Sequence, residues 1–183
     1  KEWGGMVDPE GYAEVATFAA RWLKTEPMEY VVLPAGLDAA IAAYNKAIKI
    51  DSQYAAAYAN RGVSYYNQGD LQAAIAGYNK AIQLDPKNAA LAYYNRGLVY
   101  FDQGDLGGAI ADYSRAIELS PQDAIAYSNR GAAYYRQGNL QGAIADYSKA
   151  IELDPQFAFA YNNRGLAYYN QGNLQGAFAD YNK

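Results

Sequence analysis

The same five-residue word returns four times along this chain. It reads Tyr-Ala-Asn-Arg-Gly at 58–62, Tyr-Tyr-Asn-Arg-Gly at 93–97, Tyr-Ser-Asn-Arg-Gly at 127–131 and Tyr-Asn-Asn-Arg-Gly at 161–165. Its glycines, Gly62, Gly97, Gly131 and Gly165, stand 35, 34 and 34 residues apart. A fixed period of this length belongs to a tandem array, in which each unit buries its apolar face on the next and leaves a long surface instead of one enclosed pocket.

One unit, Ala90 to Asp123, shows how the period folds. Tyr93, Gly97 and Tyr100 fall on one helical stripe, and Leu106, Ala109, Tyr113 and Ala116 on a second. Between them lies Gln103-Gly104-Asp105. Gly104 suits the left-handed residue past a helix end, and Asp105 can cap the next helix. Pro121 stops the second helix, because proline disfavours helical geometry at the residue before it. Each unit is therefore expected to be two antiparallel helices. The glycines are expected to face small residues of the second helix: Gly62 with Ala74, Gly97 with Ala109, Gly131 with Ala143 and Gly165 with Ala177. Leu71, Leu106, Leu140 and Leu174 are expected to close the top of each hairpin.

The pattern aromatic-x-x-x-Gly-x-x-Tyr, then Ala-x-x-x-Tyr-x-x-Ala, then Pro, resembles the tetratricopeptide repeat, a helix–turn–helix unit of 34 residues. The resemblance covers 55–183 as repeats at 55–89, 90–123 and 124–157 and a shortened one at 158–183. The second helix of an earlier repeat lies within 37–54, with Leu37, Ala40, Tyr44 and Ala47 on its stripe. It implies an all-α fold, a right-handed superhelical solenoid of antiparallel helix pairs. Two departures stand out. Arginine (Arg61, Arg96, Arg130, Arg164) occupies a position where the family usually has leucine, and Ala89 is an extra residue after Pro86.

Segment 1–36 has a different character. Asp8-Pro9-Glu10 reads as a helix start, with a helix over about 9–24 carrying Tyr12, Val15, Phe18, Ala19 and Trp22. Met28 to Pro34 reads as an extended or irregular connection; Tyr30-Val31-Val32-Leu33 favours extension. The chain starts at Lys1 without methionine and ends at Lys183 inside an expected helix, so a fragment of a longer protein is expected.

Composition narrows the function classes. Sixteen of the twenty tyrosines belong to the four repeats, so the aromatic richness is repeat chemistry and not a cofactor box. The net charge is −4 with no basic cluster, which argues against nucleic acid and anionic membranes as partners. No apolar run approaches a membrane span. Histidine and cysteine are both absent, which removes the usual zinc sites and every Ser-His or Cys-His arrangement; no cofactor is expected.

In such a stack the first helices line the inner side. Asn60, Asn95, Asn129 and Asn163, each two residues before the glycine, are expected to face inward. An amide offers an acceptor and two donors, so it can match the C=O and N–H of an extended peptide together. This row is similar to the asparagine ladder in the repeat domains of O-linked N-acetylglucosamine transferases; the alternative is that these amides bond to neighbouring helices. Four residues after the glycine stand Tyr66, Phe101, Tyr135 and Tyr169, read either as an aromatic lining or as packing between repeats. Asn67, Asp102, Arg136 and Asn170 follow them as variable contacts. Relatives that clamp acidic chaperone termini carry lysines three and six residues before the glycine. Here Ala59, Tyr94, Ser128 and Asn162, and Ala56, Leu91, Ile125 and Phe159, stand there, so a mainly uncharged peptide is expected.

The arginines, on an apolar stripe, need partners. Asp112, Asp146 and Asp180 are expected to pair with Arg96, Arg130 and Arg164. Arg61 has Gly77 at the matching position and is expected to bond backbone carbonyls or water. The leading functional expectation is a scaffold for a protein or peptide partner. Alternatives are the recruiting arm of a larger enzyme, and self-assembly by an end-to-end contact through 166–183.

Overall fold

The computed structural model describes residues 34–183, and the helix expected over 9–24 lies outside them. The chain divides at Pro86–Lys87 into two compact units. In the first, α1 (Pro34–Ile50) is followed by the hairpin of α2 (Ala55–Asn67) and α3 (Leu71–Leu84). In the second, three hairpins follow in series: α4 (Ala90–Asp102) with α5 (Leu106–Leu119), α6 (Ala124–Arg136) with α7 (Leu140–Leu153), and α8 (Ala158–Gln171) with α9 (Leu174–Tyr181). No strand occurs among the described residues. The fold is an all-α solenoid of helix pairs. α1 starts at Pro34, earlier than the expected Leu37, since proline is well suited to a first helical turn.

Every hairpin turn is solved in the same way. Gly69, Gly104, Gly138 and Gly172 have φ between 80° and 86°, a left-handed conformation that glycine adopts without steric cost. The next residue (Asp70, Asp105, Asn139 or Asn173) accepts a hydrogen bond from the backbone N–H three residues on, capping the second helix.

The hairpins close on tyrosine. A Cβ at Gly62 would lie 2.8 Å from Tyr78 Cε1, one at Gly97 2.8 Å from Tyr113 Cε1, and one at Gly131 3.0 Å from Tyr147 Cε1. The tightest neighbour of each glycine is thus a ring and not the expected alanine. The alanine backbone comes second at Gly62 and Gly131, where Ala74 O and Ala143 O lie 3.1 and 3.3 Å from the same point. A flat ring pressed on a bare Cα buries its whole face, worth roughly 1.5–3 kcal/mol per fully buried large side chain. Leu71, Leu106 and Leu140 are half-buried at the hairpin tops, whereas Leu174 is exposed.

Arg96, Arg130 and Arg164 join the two helices of their hairpins, and Arg61, Arg130 and Arg164 reach back to the preceding second helix. Arg130 donates from Nε and Nη2 to the two oxygens of Asp146 at 2.7 and 2.8 Å, and from Nη1 to Ser114 Oγ at 3.0 Å. Arg164 repeats this with Asp180 (2.8 and 2.6 Å) and Ser148 Oγ (3.0 Å). Arg96 forms the same fork on Asp112 at 2.6 and 2.7 Å. Hydrogen bonding to the carboxylate pushes all three guanidinium pKa values up, and partial burial pulls against it. The three pairings expected from sequence are therefore present. The expectation for Arg61 needs correcting: its Nη1 donates to the side-chain oxygen of Asn45 at 2.5 Å, an amide acceptor on α1 and not a backbone carbonyl or water.

The extra residue also has a local effect. Ala89 holds the cap position of α4 with ψ of 11°, against 84°, 93° and 80° at Tyr54, Asp123 and Phe157.

Candidate peptide-binding surface

In the second unit, the first helices α4, α6 and α8 and the helix α7 surround a concavity of about 140 Å³. Phe101 comes from the last turn of α4, and Ala132, Tyr135 and Arg136 from the C-terminal half of α6. Phe159, Asn163 and Leu166 form an i, i+4, i+7 stripe of α8, and Tyr147 closes the floor. The lining is mostly apolar, with one amide and one cation among its side chains. Phe159 is 53% exposed and Leu166 37%, so both present apolar surface to solvent.

Arg136 is held in place from below. Its guanidinium carbon stands 4.5 Å from the Phe101 ring centroid, and its Nη1 donates to Phe101 O at 3.2 Å. Stacking fixes the plane of the group while its other nitrogens remain available to an acceptor. It is the single charged side chain of the lining.

Phe101, Tyr135, Arg136 and Asn163 from the sequence-derived set meet at this concavity. The four asparagines stand in different surroundings. Asn129 Nδ2 donates to Tyr94 Oη at 2.7 Å, joining α6 to α4, and Asn95 Nδ2 is buried with no hydrogen-bond partner. Asn163 is half-buried and accepts only a long 3.5 Å contact from Asn162. Asn60 and Tyr66 are half-buried on α2, in the first unit. Tyr135 Oη takes a hydrogen bond from Asn170 Nδ2. Tyr169 and Asp102 are exposed and do not line the concavity. Burial pushes the Tyr94 hydroxyl pKa up strongly, with the Asp123 charge adding to it and the Asn129 hydrogen bond opposing it.

Phe159 and Leu166 were not singled out as site residues. Their signal was present in the period, since they stand six before and one after Gly165, on the same stripe as Asn163. Among the described residues no cluster of acidic side chains could hold a metal ion, and no helix is long and apolar enough to cross a membrane.

Comparison with known proteins places this geometry. The profile of the TPR repeat matches residues 37–69, 64–104, 97–138 and 133–172. A crystal structure of MamA is 33% identical over 81% of this chain and 86% of its own, with a TM-score of 0.76. YrrB, described as a TPR protein with an unusual peptide-binding site, is 25% identical over 94% of this chain and 82% of its own, with a TM-score of 0.69. The first TPR of Spaghetti (RPAP3), solved bound to the HSP90 peptide SRMEEVD, is 32% identical over 67% of this chain and 96% of its own, with a TM-score of 0.63. None of the curated proteins compared is significantly similar in sequence. With the period, the hairpins and the profile in agreement, the chain belongs to the tetratricopeptide repeat family.

Proposed function

We propose that this chain is a protein-interaction scaffold that holds an extended segment of a partner protein against α4, α6 and α8 and carries out no chemical step on it. The observation that carries this reading is the concavity framed by Phe101, Tyr135, Arg136, Phe159, Asn163 and Leu166. An apolar side chain of the bound segment enters between Phe159 and Leu166. The Asn163 amide meets the backbone beside it, and Arg136 offers its unused donors to a carbonyl or carboxylate one step along. The peptide-bound state of the Spaghetti (RPAP3) repeat domain and the peptide-binding site named for YrrB support the class of partner. The absence of histidine and cysteine supports a role without catalysis.

The test is selection of binders from a phage-displayed library of random extended peptides on the folded protein. Selected peptides should bind about tenfold more weakly to Phe159→Ala and to Leu166→Asp, a loss of about 1.4 kcal/mol. Both side chains are exposed, so both variants should keep the parent's helical signal. Peptides that bind parent and variants equally, or a selection that yields none, would refute the reading.

A further inference from the structure

The guanidinium groups of the second unit divide their donors in one recurring way. In Arg130 and Arg164, Nε and Nη2 grip both oxygens of an aspartate, and Nη1 turns to a serine hydroxyl. Arg96 holds Asp112 through the same Nε–Nη2 edge. Arg115 pairs with Glu118. Arg136 makes only the other half of this arrangement. Its Nη1 donates to Phe101 O, and the group rests on the Phe101 ring. Its Nε and Nη2, the edge that takes an aspartate in Arg96, Arg130 and Arg164, have no partner among the described residues.

Arg136 lines the concavity, and no other lining side chain carries a charge. Two parallel N–H donors on one planar edge match the two oxygens of a carboxylate, which a lone carbonyl cannot satisfy. A ligand that covers the apolar lining also excludes water and strengthens the attraction between the charges. The space of about 140 Å³ suits one ring-sized side chain, since an enclosed void of about 150 Å³ holds a benzene molecule. The inward positions six and three before the glycines hold Leu91, Ile125 and Phe159, and Tyr94, Ser128 and Asn162. A run of acidic residues would therefore find no second cation there.

We propose that the segment held by this surface carries a single carboxylate beside a ring-sized apolar side chain, and that Arg136 selects for it. The carboxylate accepts from Nε and Nη2, as Asp146 does from Arg130. The apolar side chain enters between Phe159 and Leu166. Because both groups meet one concavity, the carboxylate belongs to an acidic residue next to the apolar one, or to the chain end of the apolar residue itself. The mainly uncharged peptide expected from sequence thus narrows to one with this one charge. The inference rests on the scaffold reading above and specifies its partner.

The probe is a random peptide library displayed in two formats and selected on the full chain, one with a free C-terminus and one embedded between glycine–serine flanks. Acidic residues beside Phe, Tyr, Trp or Leu should be enriched in the embedded format if a side chain supplies the carboxylate. Apolar C-terminal residues should be enriched in the free format if the chain end does. A selected peptide is then synthesised and titrated by calorimetry against the parent, Arg136→Gln and Phe159→Ala. Converting its carboxylate to the amide should weaken binding to the parent about tenfold. The same change should leave binding to Arg136→Gln, itself about tenfold weaker, unaltered. Arg136 is exposed, so the variant should keep the helical signal, and this coupling separates recognition from an effect on folding. Peptides that need Phe159 but show no acidic preference, or that bind Arg136→Gln as tightly as the parent, would overturn this proposal and leave the scaffold reading standing. A selection that yields nothing, or peptides indifferent to Phe159→Ala, would overturn both.

Discussion

A bare Cα is what lets each tyrosine lie flat in its hairpin. At Gly131 an added Cβ would sit 3.0 Å from Tyr147 Cε1, and Tyr147 is already walled in. Gly131→Leu should therefore lower stability by about 1–3 kcal/mol or more, read as a shift of the urea midpoint at unchanged slope. Gly77 shows the same logic on backbone. A Cβ there would lie 2.8 Å from Tyr58 O, so no aspartate fits where Asp112, Asp146 and Asp180 stand in later repeats. The close approach of α3 to α2 and the missing carboxylate for Arg61 are one fact, and Asn45 fills the gap from α1.

The element to consider next is the arginine fork that ties a hairpin together. Arg130 and Asp146 side chains are 19% and 8% exposed, intermediate between a surface pair worth up to about 1 kcal/mol and a fully buried one costing about 3–5 kcal/mol to break. Asp146→Ala should cost about 2 kcal/mol by thermal or urea unfolding. Arg130→Leu in the same background, which restores the residue usual in the family, should recover most of that loss. A double variant as unstable as the sum of the singles would show that the fork contributes nothing as a unit. This element was legible in the sequence because Asp and Arg recur at constant offsets. At Arg61 the carboxylate sixteen residues on is missing, and the acceptor is Asn45, sixteen residues back as Ser114 and Ser148 are from Arg130 and Arg164; the sequence reading sought side-chain partners for the arginines only among the carboxylates.

Over the whole described chain, tyrosine burial sets how the protein meets alkali. Burial pushes the hydroxyl pKa values of Tyr44, Tyr78, Tyr94 and Tyr147 above the ordinary 10.0. The folded state thus keeps protons that the unfolded chain gives up near pH 10, and stability falls as pH rises through that point. Melting temperature should hold steady up to about pH 9 and then drop, with the tyrosinate absorbance of these four residues appearing together with the loss of helix. Absorbance that rises fully before any helix is lost would contradict this.

The hairpins and caps followed from the period because each is a contact between residues at fixed separation, whereas the tyrosine rings against the glycines stand where alanine was expected. The concavity was only half legible: Phe101, Tyr135, Arg136 and Asn163 follow from the inward stripe. The fates of the individual asparagines depend on residues that vary from repeat to repeat. Tyr94 captures Asn129, and the matching position one repeat on is Ser128.

Near-identical tandem units carry a hazard of their own, because a helix threaded one step out of place meets almost the same neighbours. The absent carboxylate at Gly77 breaks that degeneracy. A slipped chain that set α4 into the place of α2 would leave the Arg96 guanidinium facing glycine, with the single Asn45 amide oxygen in place of the two-pronged Asp112 carboxylate. The irregular repeat thereby marks where counting starts.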